Sequence, residues 1–189
     1  MKSAINLSKE QIIAAALEIV ECSGWDSLNA RGLAKKLGIS TKPLYRIYNN
    51  MEEINKDLYK AIYHKYDAFI TSRVDSKKAL LSMCTAYVEF AKIYPKLFVS
   101  LFLSNNLEWK SIENVLDEKW NQSIIINLVN KKGLSFDEAK TLFINMWLYV
   151  NGLATLIATN DITLNDEEIL SKILKIYELL SVDFVKMKS

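Results

Sequence analysis

Glycine and proline are scarce in this sequence, five and two among 189 residues. Sheet-rich folds use both at their many turns, so the shortage points to a mostly helical chain. Cysteine is equally thin: Cys22 and Cys84 lie far apart and form no CxxC pair. That excludes a disulfide framework and a paired-cysteine zinc site, no metal site is expected, and a reducing cytoplasmic setting fits. The single histidine, His64, excludes multi-histidine metal sites and HExxH, and GxSxG, GxGxxG and the P-loop are missing too. Without the usual acid, base and nucleophile sets the chain reads as a non-enzyme with no cofactor. No charge sign dominates either, with 24 basic residues against 22 acidic ones and a formal net charge of +2. What is abundant is apolar: 50% of residues are hydrophobic, enough for a sizeable core and incompatible with global disorder.

The opening MKSAINLSKEQII is too polar for a signal peptide. Between Lys140 and Asp161 run twenty residues without a charge, long enough to span a bilayer. Asn145, Asn151 and Asn160 interrupt the run, and aromatic and basic belts do not flank both ends. A buried helix, and no membrane partner, is the reading.

Cap residues set out the helices. Ser8 and Gln11 form a capping box ahead of Ile12, Ile13, Ala16, Leu17 and Val20, and Gly24 can end that helix. A short helix is expected from about Asn29 to Leu37, broken by Gly38-Ile39-Ser40, and a third from Ser40 to about Tyr48 with Pro43 in its first turn. Asn50 and Glu53 open a fourth. Further helices are predicted near 77–93, 95–104, 109–131, 136–159 and 166–186. Pro95 starts one, Ser135 with Glu138 and Asn165 with Glu168 cap two, and Lys131-Lys132-Gly133 marks a helix end. The fold class is all-α, with about nine helices.

Charge is distributed unevenly. From Ser27 to Asn50 the sequence has Arg31, Lys35, Lys36, Lys42 and Arg46 and no acid, which begins again only at Glu52. Positive charge concentrated on one small helical unit suits a phosphate backbone, where cations gain affinity by releasing counterions. Two short helices joined by Leu37-Gly38-Ile39-Ser40 match a helix-turn-helix, whose second helix enters the major groove. Thr41, Lys42, Pro43 and Arg46 would then face bases, with arginine able to pair bidentately with guanine. Tyr45 would give its hydroxyl to a phosphate, while Leu44 and Tyr48 anchor the helix inward.

The stretch GWDSLNARGLAKKLGISTKPLYRIYNNMEEI resembles the DNA-binding domain of the tetracycline-repressor (TetR) family of bacterial transcription regulators. The likeness runs from Leu7 to about Ala61. It rests on Gly24, Arg31-Gly32-Leu33-Ala34, Leu37-Gly38-Ile39-Ser40, Leu44-Tyr45, Tyr48 and Asn50-Met51-Glu52-Glu53-Ile54. Three positions depart from the pattern: Met51 stands where the family usually has lysine, Tyr48 replaces phenylalanine, and Gly32 lies inside a helix. That glycine allows close approach either to DNA or to the first helix. The resemblance implies a DNA-binding domain over 1–53 and a regulatory and dimerisation domain over 54–189. It assigns Arg31 and Tyr45 to the DNA backbone and Thr41, Lys42 and Arg46 to bases. Ser40 and Pro43 complete the contact surface, and Asn50 marks a helix start that can offer amides to a phosphate.

The rest of the chain has the excess apolar surface that a dimer would cover. Ile169, Ile173, Ile176 and Leu180 form one stripe, with Leu170, Leu174 and Tyr177 beside it. The charge-poor helix has Leu148 and Gly152, and Trp147-x-x-x-Asn151-Gly152 resembles the family's penultimate helix. Leu148, Gly152, Ile169, Ile173, Ile176 and Leu180 are the candidate dimer interface. Aromatic and thioether side chains are plentiful among Met83, Tyr87, Phe98, Phe102, Trp109, Trp120, Met146 and Trp147. Met83, Tyr87, Phe102, Trp120, Trp147 and Asn151 are the candidate ligand-binding set, for an effector whose class no residue cluster reveals. The expected function is a cytoplasmic, homodimeric, ligand-responsive repressor on a palindromic operator in double-stranded DNA. The alternatives are a TetR-like regulator without a small-molecule effector, as an activator or one answering to a protein partner, and a helical interaction module whose DNA unit has decayed.

Overall fold

Local signals in the sequence translate directly into helix starts. In the computed structural model, which describes residues 7–104, 111–160 and 162–186, the Ser8 hydroxyl accepts from the Gln11 amide and Gln11 Oε1 accepts from the Ser8 amide. This box opens α1, Lys9–Ser23, which ends at Gly24 with φ +85°. Asn29 caps α2, Ala30–Lys36, by accepting from Gly32 N at 2.9 Å. Asn50 caps α3, Met51–Thr71, by accepting from Glu53 N at 2.9 Å. α4, Ala79–Ile93, follows a 3-10 turn at Ser76–Lys78 capped by Asp75. Pro95 begins α5, Pro95–Phe102, where its missing N–H costs nothing. A 3-10 stretch at Ile112–Asp117 precedes α6, Lys119–Lys132, whose end at Gly133 is left-handed with φ +65°. Trp109 lies outside the described residues. The Ser135–Glu138 box opens α7, Phe136–Thr159, and Asn165 with Glu168 opens α8, Asp166–Lys186. Among the described residues there is no strand.

The expected third helix is the exception. From Ser40 to Tyr48 only Leu44–Arg46 forms regular structure, a single 3-10 turn. Ser40 makes no capping bond; the residue before the turn is Pro43. Short bonds run from Leu44 N to Thr41 O, Arg46 N to Pro43 O and Ile47 N to Leu44 O, and Tyr45 N reaches Thr41 O over the longer span only at 3.4 Å. Tyr48 N to Leu44 O, at 3.0 Å, has the longer α-helical span.

Contacts divide the chain into two compact units, 1–67 with 94–106 and 68–93 with 107–189. The first therefore reaches beyond 53 and includes α5. Its core gathers Ile12, Ala16 and Val20 of α1, Leu33 of α2, Leu44, and Ile54, Leu58 and Ile62 of α3. Leu97, Phe98 and Leu101 of α5 are buried in the same unit. Lys65 ties the unit together by donating to Glu21 at 2.6 Å while its ammonium sits 4.1 Å from the Tyr94 ring centroid.

In the second unit α4 is the central element, packed on α6, α7 and α8. Met83, Tyr87 and Phe90 of α4 are buried with Ile124, Ile125 and Leu128 of α6 and Phe143, Met146 and Val150 of α7. Phe69 meets Phe90 edge-on at 5.4 Å. α7 is long and apolar enough to cross a membrane by length and composition. One face, Ala139, Phe143, Met146 and Ala154, is covered within this unit, while only 28% of the apolar stretch is buried, so the expected buried helix is covered on one side alone.

Candidate nucleic-acid interface

Two features build the candidate interface: a turn that holds its shape through the backbone, and cations that no acid neutralises. At the end of α2, Ile39 N donates to Ala34 O at 3.0 Å and Gly38 N to Lys35 O at 3.1 Å. These are the paired bonds of a Schellman ending, with Gly38 at φ +68° in the left-handed position. A Cβ on Gly38 would meet nothing within 4 Å, so the dihedral rather than space demands glycine here. Gly32 is under no such constraint. It is the third residue of α2, and a Cβ there would lie 3.4 Å from the Asn29 side-chain amide that caps the helix, an ordinary contact distance.

Leu33 and Leu44 are fully buried and Tyr48 is 2% exposed, so these inward residues hold the turn segment on the unit's core. Tyr48 donates its hydroxyl to Asp57 Oδ2 at 3.1 Å, and the Lys9 ammonium lies 4.7 Å from its ring centroid. Burial, reinforced by the Asp57 hydrogen bond, pushes the phenol up to about 12. Tyr48 is thus an anchor with a polar end, which explains how tyrosine replaces phenylalanine at this place.

The basic side chains point the other way. Arg31, Lys35, Lys42 and Arg46 are exposed, and none makes an ion pair among the described residues. Lys36 is the exception, bound to Glu18 at 2.6 Å. Ser40, Tyr45 and Asn50 are exposed, and Thr41 and Pro43 are half-buried. All eight candidate DNA-binding residues belong to the first unit.

The start of α3 differs from expectation. Asn50 Oδ1 already occupies the Glu53 amide, so that donor is not open to a phosphate. Glu53 also places a carboxylate there. Asn49 donates to it twice, from Nδ2 at 2.7 Å and from its backbone N at 3.0 Å. These hydrogen bonds hold the Glu53 carboxyl below its ordinary range. Sequence reasoning saw Glu53 only as a cap partner; its spacing from Asn49, four residues, was the available signal.

The other candidates are placed as follows. Met83 and Tyr87 of α4 are buried, Trp120 of α6 and Trp147 and Asn151 of α7 are half-buried, and all five belong to the second unit. Phe102 belongs to the first, against Tyr66 and Phe98 at 5.1 Å each. Tyr87 donates its hydroxyl to Asn151 Oδ1 at 2.9 Å, which gives the half-buried amide a partner. Trp120 Nε1 is buried with no acceptor among the described residues. Along the candidate dimer face, Leu148 and Gly152 are exposed, while Ile176 and Leu180 are half-buried. Ile169 and Ile173 are covered inside the unit, at 2% and 0% exposure. The stripe on α8 therefore faces its own core, because α4 and α7 both pack on that side. Leu148, Tyr149 and Leu156 of α7 with Leu170 and Leu179 of α8 are left exposed.

No family model matches the sequence. An uncharacterized HTH-type transcriptional regulator of Mycobacterium tuberculosis is 26% identical over 156 residues, covering 79% of this chain and 70% of that protein. Among solved structures, a TetR variant from Acinetobacter baumannii AYE in complex with minocycline is similar over 97% of this chain and 99% of its own, with TM-score 0.63 and 20% identity. BioQ with its double-stranded DNA operator is similar over 91% of this chain and 98% of its own, with TM-score 0.53 and 17% identity. The fatty acid degradation regulator FadR from Bacillus halodurans matches 95% of this chain and 96% of its own, with TM-score 0.59 and 18% identity. An all-helical chain with a Schellman turn joining α2 to a basic, exposed segment thus has the fold of the TetR-family regulators.

Proposed function

We propose that this chain is a TetR-family DNA-binding transcription regulator, acting as a homodimeric repressor on a palindromic operator and released by a small-molecule effector. The observation that carries the reading is the unpaired quartet Arg31, Lys35, Lys42 and Arg46 around the left-handed Gly38 turn. Like charges on one surface repel, and a polyanion removes that cost while releasing counterions. The DNA-reading part, expected over 1–53, belongs to the first unit, and the second unit is the regulatory part. Ser40, Thr41, Lys42, Pro43 and Arg46 meet base edges and neighbouring phosphates. Arg31 and Tyr45 position the backbone, and Asn50 offers its side-chain amide, since its carbonyl is committed to Glu53. A regulator of this kind acts in the cytoplasm and needs no catalytic group.

The exposed strip Leu148, Tyr149, Gly152 and Leu156 supports dimerisation through α7, with α8 alongside. Two reading units would then meet successive major grooves about 34–36 Å apart. Met83, Tyr87, Trp120, Trp147 and Asn151, all of the second unit, remain the proposed effector contacts; Phe102 belongs to the first unit and is not carried into that set. An effector that favours a differently spaced dimer weakens DNA binding by about 1–3 kcal/mol, and DNA weakens the effector equally. Fluorescence anisotropy on promoter fragments, titrated with salt, tests the DNA reading. A steep loss of affinity with rising salt is expected; salt-insensitive or absent binding overturns it. The Glu53 carboxylate and Met51 at the start of α3 favour the second reading, a helical interaction module with a decayed DNA unit, and the same titration separates the two.

A further inference from the structure

A second basic cluster lies in the other unit, and no contiguous stretch of sequence announces it. Lys77 and Lys78 precede α4, while Lys131 and Lys132 end α6. Ser76 brings the two segments together: its carbonyl accepts from Lys131 Nζ at 2.7 Å and from Asn127 Nδ2 at 3.2 Å. Between them opens a cleft of about 660 Å³, within the range of small-molecule sites. Its walls are Leu80, Leu81 and Leu128 on one side and Leu170, Leu174 and Tyr177 of α8 on the other.

Five cations line this cleft, Arg73, Lys77, Lys78, Lys131 and Lys132, against two carboxylates, Asp75 and Glu89. Glu89 binds Arg73 at 2.9 Å, and Asp75 accepts from the Lys77 amide at 2.8 Å but keeps its charge, so the cleft has three more cations than carboxylates. Lys77, Lys78 and Lys132 make no ion pair among the described residues. An apolar trough rimmed by uncompensated cations matches a molecule with an alkyl chain and an anionic end. Leu170, Leu174 and Tyr177 share one flank of α8, towards α4, and Leu179 lies on another flank by helical periodicity. The α7 strip proposed for dimerisation lines no part of the cleft.

We propose that this cleft binds a single-chain amphiphile with an anionic head, a carboxylate or phosphate monoester, its chain along the leucines and its head among Lys77, Lys78 and Lys132. This goes beyond that reading: the cleft includes none of the proposed effector contacts, so it is a separate site, and binding rests on the cleft alone. Isothermal titration of the full chain with hexanoate, octanoate, decanoate, octyl phosphate and 1-octanol tests it. Affinity should rise up to about fourfold per added methylene. Octanoate or octyl phosphate should bind at least tenfold tighter than 1-octanol, and the stronger of the two identifies the head. The Lys77→Glu/Lys78→Glu variant should erase the preference for charge but leave 1-octanol binding unchanged. Leu170→Asp, at a position 43% exposed, should weaken every ligand, with circular dichroism confirming an intact fold. Equal binding of octanoate and 1-octanol, or unchanged octanoate binding in both variants, overturns the proposal. Operator binding measured on the same samples keeps the outcomes distinct: ligand failure with DNA binding intact removes this inference alone.

Discussion

The two basic clusters arise by opposite routes. The first is continuous in sequence: Arg31, Lys35, Lys42 and Arg46 fall in one acid-free run and stay exposed around one turn. The second is assembled from two segments that meet through Ser76, and it surrounds an apolar trough instead of covering a convex surface. Charge on an exposed turn suits a rod-like polyanion, which presents phosphates and little grease. Charge at the mouth of a leucine-lined cleft suits a small molecule, because the chain contributes burial and the head contributes attraction.

The largest expected effect comes from undermining the first cluster without touching a charge. Leu33→Ala empties a fully buried site and should cost about 2–5 kcal/mol in denaturant unfolding of the first unit. Leu170→Ala, at the second cluster's exposed wall, should cost far less. Comparable losses at both would erase the distinction between a framed turn and an open cleft.

Next in size are the charges themselves. Arg46→Ala should cost about 1–3 kcal/mol on the preferred operator and relax base preference. Arg31→Ala should weaken all sequences alike and lower the salt slope by about one. Lys77→Ala should leave that slope unchanged in the same anisotropy assay. A slope that falls with Lys77 as with Arg31 would merge the two clusters into one DNA surface.

Gly38→Ala forces a left-handed residue to bear a Cβ and should cost about 1–2 kcal/mol by thermal unfolding, with a further loss of operator affinity. Gly152→Ala sharpens the contrast. Its Cβ would meet nothing within 4 Å among the described residues, so helix propensity should raise stability by up to about 1 kcal/mol. Weakened association in sedimentation would instead place that glycine at a close helix crossing.

Tyr48→Phe is the mildest, about 1 kcal/mol for the lost bond to Asp57. It also carries a pH signature. The folded phenol titrates near 12, above its unfolded value of 10, so its contribution is complete below pH 10 and disappears as pH rises through 12. The wild-type minus Phe stability difference should shrink over that window; a constant difference would deny the buried phenol.

Much of this was legible beforehand, and the reasons are local. Ser8, Asn29, Ser135 and Asn165 start helices because a side-chain oxygen finds the backbone amide three residues on, whatever the rest of the chain does. The Gly38 turn is equally local. The third short helix was misread because the apolar spacing of Leu44 and Tyr48 fits either an α-helix or a tighter turn. Neither pattern is decided by sequence spacing, and the segment takes the tighter turn without a side-chain cap. Ile169 and Ile173 were misplaced for another reason. Amphipathic periodicity identifies an apolar stripe but not its cover, and here α4 and α7 lie on it within one chain.

Short-range chemistry in the sequence determined the helix starts, the turn between α2 and Leu44, and the acid-free run that makes the first unit basic. Tertiary structure alone decided which apolar faces were already covered and that two lysine pairs from distant segments share one cleft. The division follows from reach. A cap or a turn closes within five residues, whereas a cleft exists only after helices from separate parts of the chain have packed.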